Sequence, residues 1–147
     1  KIIKETLKDK ASLCRPDAVI LSYPVISAFD CPHVGSFIHL SGENEKLYKE
    51  LTLEDKVTKD SSPAFIWATF NDKTVPVKNS MLIAESYLEN GVPYEFHIFH
   101  NGVHGLSLST LESARSELVK EHNRPHVANW FNLAIEWLSD LGFNIKL

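Results

Sequence analysis

An α/β fold, a parallel sheet doubly wound with helices on both faces, is what this sequence predicts, and three observations carry the expectation. Three short apolar runs stand between turn residues: "AVILSYP" (18 to 24), "AFIWATF" (64 to 70) and "YEFHIFH" (94 to 100). They read as strands. The second and third enclose a segment of helical period, and a second such segment closes the chain. Strands that alternate with helices imply parallel neighbours, because joining parallel strands takes a crossover of a dozen or more residues.

Taken in order, the opening "KIIKETLKDK" has the character of the inside or end of a helix and contains no initiator Met. The first two apolar runs are nearly continuous, as in strands covered on both faces, whereas the third alternates Phe96 and Ile98 against Glu95 and His97. Residues 29 to 62 are an insertion. Pro32, Gly35 and Gly42 interrupt any period there, and "TLEDKV" offers Thr52 as an N-cap with acidic residues in the following turn, so one or two short helices are expected. In "KNSMLIAESYLENGVP", Met81, Leu82, Ala84, Tyr87 and Leu88 follow the helical period, and Gly91 and Pro93 supply the stop. From Pro125 to Leu141, Val127, Trp130, Phe131, Ala134, Ile135, Trp137 and Leu138 form an amphipathic closing helix, with Gly142 as its cap. The 147 residues are one domain's worth of sequence, enough to bury a core though short for many α/β enzymes. Three strands leave two nearby edges, so further strands are expected before Lys1.

A formal charge of −4, with 15 basic and 19 acidic side chains, provides no basic stripe for phosphates, which argues against nucleic acid as a partner. No apolar run reaches the roughly 18 to 20 residues that cross a bilayer, so no membrane partner is expected either. Cys14 and Cys31 are too few for a disulfide framework and lack zinc or redox spacing. Free thiols in a reducing, cytoplasmic compartment are the expectation.

In a right-handed parallel crossover, consecutive strands end on the same side of the sheet. The loops after the second and third strands therefore lie together at the carboxyl edge, where ligands bind in open α/β sheets. The first loop, "FNDKTVP", carries Asp72, and the second, "HNGVHGLSL", carries His104. A carboxylate accepting the Nδ1 proton of an imidazole fixes its tautomer and leaves Nε2 to take a proton from a nucleophile. Taken singly, Asp72 reads as a turn residue bonding its own backbone and His104 as a solvated loop residue; their joint placement points to a catalytic pair. Other candidates are weaker. His97 and His100 point oppositely across the pleat, which disfavours a metal site with His104. His122 and His126 straddle a helix start at Pro125 and read as surface or capping residues. Glu43, Glu45, Glu54 and Asp55 form no glycosidase pair. Trp67, Trp130 and Trp137 read as core.

The stretch "FIWATFNDKTVPVKNSMLIAESYLENGVPYEFHIFHNGVHGLSL" resembles the acid and histidine region of the α/β-hydrolase superfamily, in its acetyl esterase and xylan-esterase-like branch, whose members are often labelled endo-xylanase. The D-x-x-V-P turn is matched by Asp72, Val75 and Pro76, and the G-x-H-G loop by Gly102, His104 and Gly105; "AVILSYPVIS" is similar to the strand that follows the nucleophile's helix. The resemblance implies an α/β-hydrolase fold and a serine carboxylesterase acting on small acyl esters such as acetyl esters, including those of sugars. It implies Asp72 and His104 as catalytic residues, a small-molecule ester as partner, and no metal or organic cofactor. The superfamily's nucleophile sits in a G-x-S-x-G elbow, which this sequence lacks; Gly35-Ser36-Phe37 and Ser41 do not match it. In the superfamily's chain order the serine precedes the acid. The chain is thus expected to be the carboxy-terminal part of such a domain, inactive alone, with Phe29, Phe37 and Ile38 as candidates either for the acyl pocket or for inward packing. Two other readings stay open, a non-catalytic scaffold that kept the fold and a peptidase or amidase with the same triad. An uncovered sheet edge would also favour a homodimer.

Overall fold

The computed structural model describes residues 14 to 145, so the helical reading of residues 1 to 10 lies outside it. The elements run β1 (Val19–Ser22), α1 (Val34–Ser41), a 3-10 turn (Glu45–Leu47), α2 (Tyr48–Leu51), β2 (Ala64–Thr69), α3 (Lys78–Glu89), β3 (Tyr94–Phe99), a second 3-10 turn (Ser116–Leu118), α4 (Val119–His122) and α5 (Pro125–Asp140). The strands form one parallel sheet in the order β1-β2-β3. Val19 lies opposite Ala64, and Ala64 opposite Tyr94.

Every residue of β2 is buried, because helices cover both faces of the strand. Alternate side chains point to opposite sides. Phe65 and Trp67 meet Val127, Trp130, Ala134 and Trp137 of α5 together with Phe99 and Leu106. Ala64 and Ile66 meet Ile83, Ala84 and Tyr87 of α3 together with Ile26 and Val92. Each large apolar side chain so buried contributes roughly 1.5 to 3 kcal/mol, which makes this strand the fold's anchor. The three tryptophans belong to that core, as expected. α5 ends as the sequence predicts: Gly142 adopts φ 90°, and the N–H of Phe143 donates to the carbonyl of Leu138.

Three expectations change. Thr52 does not start a helix; it follows α2, and its buried hydroxyl accepts the N–H of Ala28 at 3.1 Å. Glu54 and Asp55 then fall in a turn. Phe37 is buried against Tyr48, with ring centroids 5.7 Å apart, so it packs inward, whereas Phe29 is 67% exposed. On β3, Ile98 is exposed, while Glu95 and His97 lie on the α5 side, where His97 sits over Phe65 and bonds Glu95 at 2.7 Å. Among the described residues β3 pairs with β2 alone and is partly exposed along most of its length, so the alternation of its sequence does not decide burial.

Candidate active site

β2 and β3 end side by side, and the loops leaving them are stitched together before any functional side chain is reached. The N–H of Phe70 donates to the carbonyl of Phe99 at 2.8 Å, extending the ladder by one rung. Beyond it the Oδ1 of Asn71 accepts the N–H of Gly102 (2.8 Å), and the Thr69 hydroxyl donates to the carbonyl of Gly102 (2.9 Å). Gly102 lies so close to the neighbouring loop that a Cβ would stand 2.6 Å from Thr69 Cγ2 and 2.7 Å from Leu106 Cδ1. The first glycine of the G-x-H-G loop is thus required by close approach, and the second, Gly105, by its φ of 78°.

On this platform Asp72 and His104 meet. The Nδ1 of His104 lies 2.8 Å from Oδ2 of Asp72. The other carboxylate oxygen accepts the backbone N–H groups of Thr74 (2.8 Å) and Val75 (2.9 Å). An ionised carboxylate is an acceptor only, so the imidazole proton sits on Nδ1 and Nε2 is left as the acceptor. The Asp72 side chain is 1% exposed and the His104 side chain 31%, so the acid is sealed while the ring's far edge reaches solvent. A cleft of about 290 Å³, lined by Asn71, Lys73, Thr74, Gly102, Val103 and His104, opens beside the imidazole. The Asx turn expected of Asp72 as a simple loop residue is also present, through the Oδ1 bonds, so each carboxylate oxygen has its own partners.

The remaining candidates do not join this pair. Ser36 Oγ bonds the ring of His33 three residues earlier, at 2.8 Å, within the start of α1, and Ser41 is buried with its hydroxyl directed to the carbonyl of Ile38. His97 is occupied by Glu95. His126 is exposed, with its ring edge-on to Phe99 at 5.6 Å. His122, expected at the surface, is buried, because the chain around it turns inward where the hydroxyl of Ser109 donates to its carbonyl. Among the described residues no group of three histidine, cysteine or carboxylate side chains could hold a metal ion, and no helix is long and apolar enough to cross a membrane. Cys14 and Cys31 are free and exposed, and a hydrogen bond to Asp30 pushes the Cys31 thiol pKa up.

Sequence reasoning passed over three residues that build the site's frame. Asn79 is wholly buried in the first turns of α3; its Oδ1 accepts the N–H groups of Ile26 and Ser27, and its Nδ2 donates to the carbonyls of Cys31 and Pro76. Tyr23 places its ring 4.9 Å from that of His104. Asn71 binds the two loops together through Gly102. Only Asn79 carried a usable signal, since a polar residue on the apolar face of a helix calls for a buried partner.

No protein-family model matches the chain. Among curated proteins it is 43% identical, over 101 residues, to endo-1,4-beta-xylanase B of Butyrivibrio fibrisolvens, a match covering 67% of this chain and 16% of that protein. Among solved structures it is similar to an acetyl ester-xyloside bifunctional hydrolase from Caldicellulosiruptor lactoaceticus, at 38% identity and a TM-score of 0.77 over 88% of this chain and 44% of the other. It is also similar to a carboxylesterase from Lactobacillus plantarum, at 26% identity and a TM-score of 0.81 over 99% of this chain and 54% of the other. The chain therefore spans about half the length of these solved structures and a sixth of the xylanase. A parallel sheet flanked by helices, with its central strand buried on both faces, and structural likeness extending over nearly the whole chain, lead to one conclusion: the chain belongs to the α/β-hydrolase superfamily and is similar to its acetyl esterase and xylan-esterase-like branch.

Proposed function

We propose that this chain supplies the acid and the base of a serine-type ester hydrolase acting on small acyl esters, acetyl esters of sugars included. The observation that carries the reading is the 2.8 Å contact between His104 Nδ1 and a sealed Asp72 carboxylate, with Nε2 turned outward. A serine hydroxyl brought to Nε2 gives up its proton as its oxygen attacks the ester carbonyl. The same nitrogen then returns the proton to the departing alcohol. Asp72 holds the ring in the correct tautomer and balances the positive charge the imidazole gains in between. The chemistry requires no metal or organic cofactor.

The sequence contains no G-x-S-x-G elbow, so the nucleophile and the oxyanion-binding amides come from polypeptide outside these 147 residues, and this chain alone turns over no ester. Two features support its being the carboxy-terminal part of one domain. The outer edge of β1 has no strand partner among the described residues, and beside it Asp17, Ala18, Ile20, Leu138 and Phe143 line a mostly apolar hollow. The free thiols suit a reducing, cytoplasmic setting, and the unpaired edges suit a homodimer.

The names of two relatives favour a second reading, cleavage of a xyloside. That reaction takes two carboxyl groups flanking the glycosidic bond. Both oxygens of Asp72 are committed to backbone amides and to His104, so it is not free to serve as one of them. The test compares 4-nitrophenyl acetate, 4-nitrophenyl xyloside and a peptide amide as substrates of the full-length protein that contains these residues. Acetate release alone is expected. Release from the xyloside or the peptide but not from the ester would overturn the proposal, and no turnover of any of them would favour a non-catalytic scaffold.

A further inference from the structure

We infer that Tyr23 is a positioning residue for His104, the wall that stops the imidazole from swinging out of the plane of its bond to Asp72. The inference rests on the proposed role of His104 only for its consequence in catalysis; the mechanical claim stands on the geometry. Tyr23 directly follows β1 and keeps the ladder going, its N–H donating to the carbonyl of Trp67 at 2.7 Å. Its φ is 39°, a left-handed conformation that strains a residue with a side chain. A strained backbone persists only where the surroundings over-determine it, and here the surroundings can be named.

The Tyr23 ring stands edge-on to Trp67, with centroids 5.0 Å apart at 85°, and to His104, 4.9 Å apart at 69°. Its hydroxyl accepts the N–H of Ser107 at 3.2 Å. Ser107 also has a left-handed φ, 54°, and is gripped from its other side, where Trp130 Nε1 donates to its carbonyl at 2.9 Å. Trp130 in turn stacks on Trp67, 4.9 Å apart at 18°, and Trp67 Nε1 donates to the hydroxyl of Ser22, the residue before Tyr23. The contacts close into a ring running Ser22, Trp67, Trp130, Ser107, Tyr23. The histidine loop is therefore pinned three residues past His104 by the side chain that follows β1 and by one from α5.

A single hydrogen bond at Nδ1 leaves an imidazole free to rock about the bond axis. An aromatic ring packed across it at a steep angle removes that freedom, so Nε2 keeps one direction. The carboxylate sets the tautomer and the tyrosine sets the aim. Loss of aim lowers turnover without touching the acid or the base, since a misplacement of about 1 Å can cost roughly a hundredfold in rate.

The test is proton exchange by NMR on the ¹⁵N-labelled full-length protein that contains these residues, reading His104 Nδ1–H and the Ser107 amide. Tyr23→Leu removes ring and hydroxyl: the Ser107 amide should exchange about tenfold faster, the loss expected of one neutral hydrogen bond, and His104 Nδ1–H, its ring no longer held, should exchange measurably faster as well. Tyr23→Phe keeps the ring; only the Ser107 amide should accelerate, with His104 Nδ1–H restored to its original rate. A general loss of stability would instead accelerate the core amides of Phe65 and Trp67 by the same factor. The inference falls if Tyr23→Leu leaves His104 Nδ1–H at its original rate, if the core amides accelerate equally, or if Tyr23→Phe leaves the Ser107 amide unchanged. Should Tyr23→Leu fail to fold, Tyr23→Met, which keeps much of the volume without an aromatic ring, takes its place with the same two outcomes. These readouts do not involve an ester, so the clamp and the catalytic reading fail separately; unchanged ester hydrolysis in His104→Ala would remove the second and leave the first.

Discussion

Asp72→Asn replaces one carboxylate oxygen by an NH₂ group, and the geometry dictates which way the new amide turns. With its oxygen at the Oδ1 position, the substituted side chain would still accept the N–H groups of Thr74 and Val75, at 2.8 and 2.9 Å in the parent, and its NH₂ would face His104. The opposite orientation sets two amide protons against two backbone donors and forfeits both bonds, at about 1 to 3 kcal/mol for each buried donor left unpaired. The first orientation wins by a wide margin. An NH₂ group facing Nδ1 requires that nitrogen to be an acceptor, so the proton moves to Nε2 and the imidazole can no longer take one there. Turnover should fall about 10⁴-fold, the loss that the same exchange produces in a serine-protease triad. Stability should fall by only about 1 to 3 kcal/mol, since neutral hydrogen bonds replace charge-assisted ones. The assay is the ¹⁵N chemical shifts of the His104 ring at neutral pH, which separate the two tautomers, alongside urea unfolding of the same sample. An Nδ1–H tautomer persisting in Asp72→Asn would show that the carboxylate does not set the position of the proton.

Three further outcomes follow from the frame around the site. Asn79→Ala leaves the N–H groups of Ile26 and Ser27 and the carbonyl of Cys31 without their partner, and should cost about 2 to 5 kcal/mol in urea unfolding; a loss below about 1 kcal/mol would contradict the bonding described. Gly102→Ala drives a methyl group into Thr69 and Leu106 and should cost about 1 to 3 kcal/mol, with the His104 ring signals displaced; a wild-type melting temperature would show that the loops have slack. Burial pushes the Tyr87 phenol pKa above its ordinary value, so the folded chain holds a proton that the unfolded chain releases first. Stability should therefore be full below pH about 10 and decline as pH climbs past it, visible as a urea midpoint lower at pH 11 than at pH 9.

β2 and the closing helix were legible because their patterns are set by burial, whereas β1 and β3 are only partly buried and were legible from their β-forming residues and flanking turns. "AFIWAT" is covered on both faces and reads as continuous apolar sequence; in the helix over residues 78 to 89, Ala84 and Tyr87 of the expected stripe are buried, whereas Met81 and Leu88 are exposed. Between residues 29 and 62 the one or two short helices expected are present, but their places were not legible, since they are only one or two turns long and Thr52 serves a neighbouring loop rather than a helix of its own. The meeting of Asp72 and His104 could be argued from topology, which fixes the end of the sheet at which consecutive parallel strands terminate. The frame could not. Asn71, Asn79 and Tyr23 act through partners 31, 53 and 84 positions away, and no local pattern announces such distances. His122 escaped for a related reason: its burial follows from the fold of the loop around Ser109, which has no periodicity to read.

The measurement that bears most directly on the proposed function is the rate at which the full-length protein hydrolyses 4-nitrophenyl acetate before and after His104→Ala, with folding checked by the melting temperature. A drop of at least about 10⁴-fold in kcat at an unchanged melting temperature is the predicted result. A rate within a few-fold of the parent would mean that the imidazole is not the base, whatever its distance from Asp72.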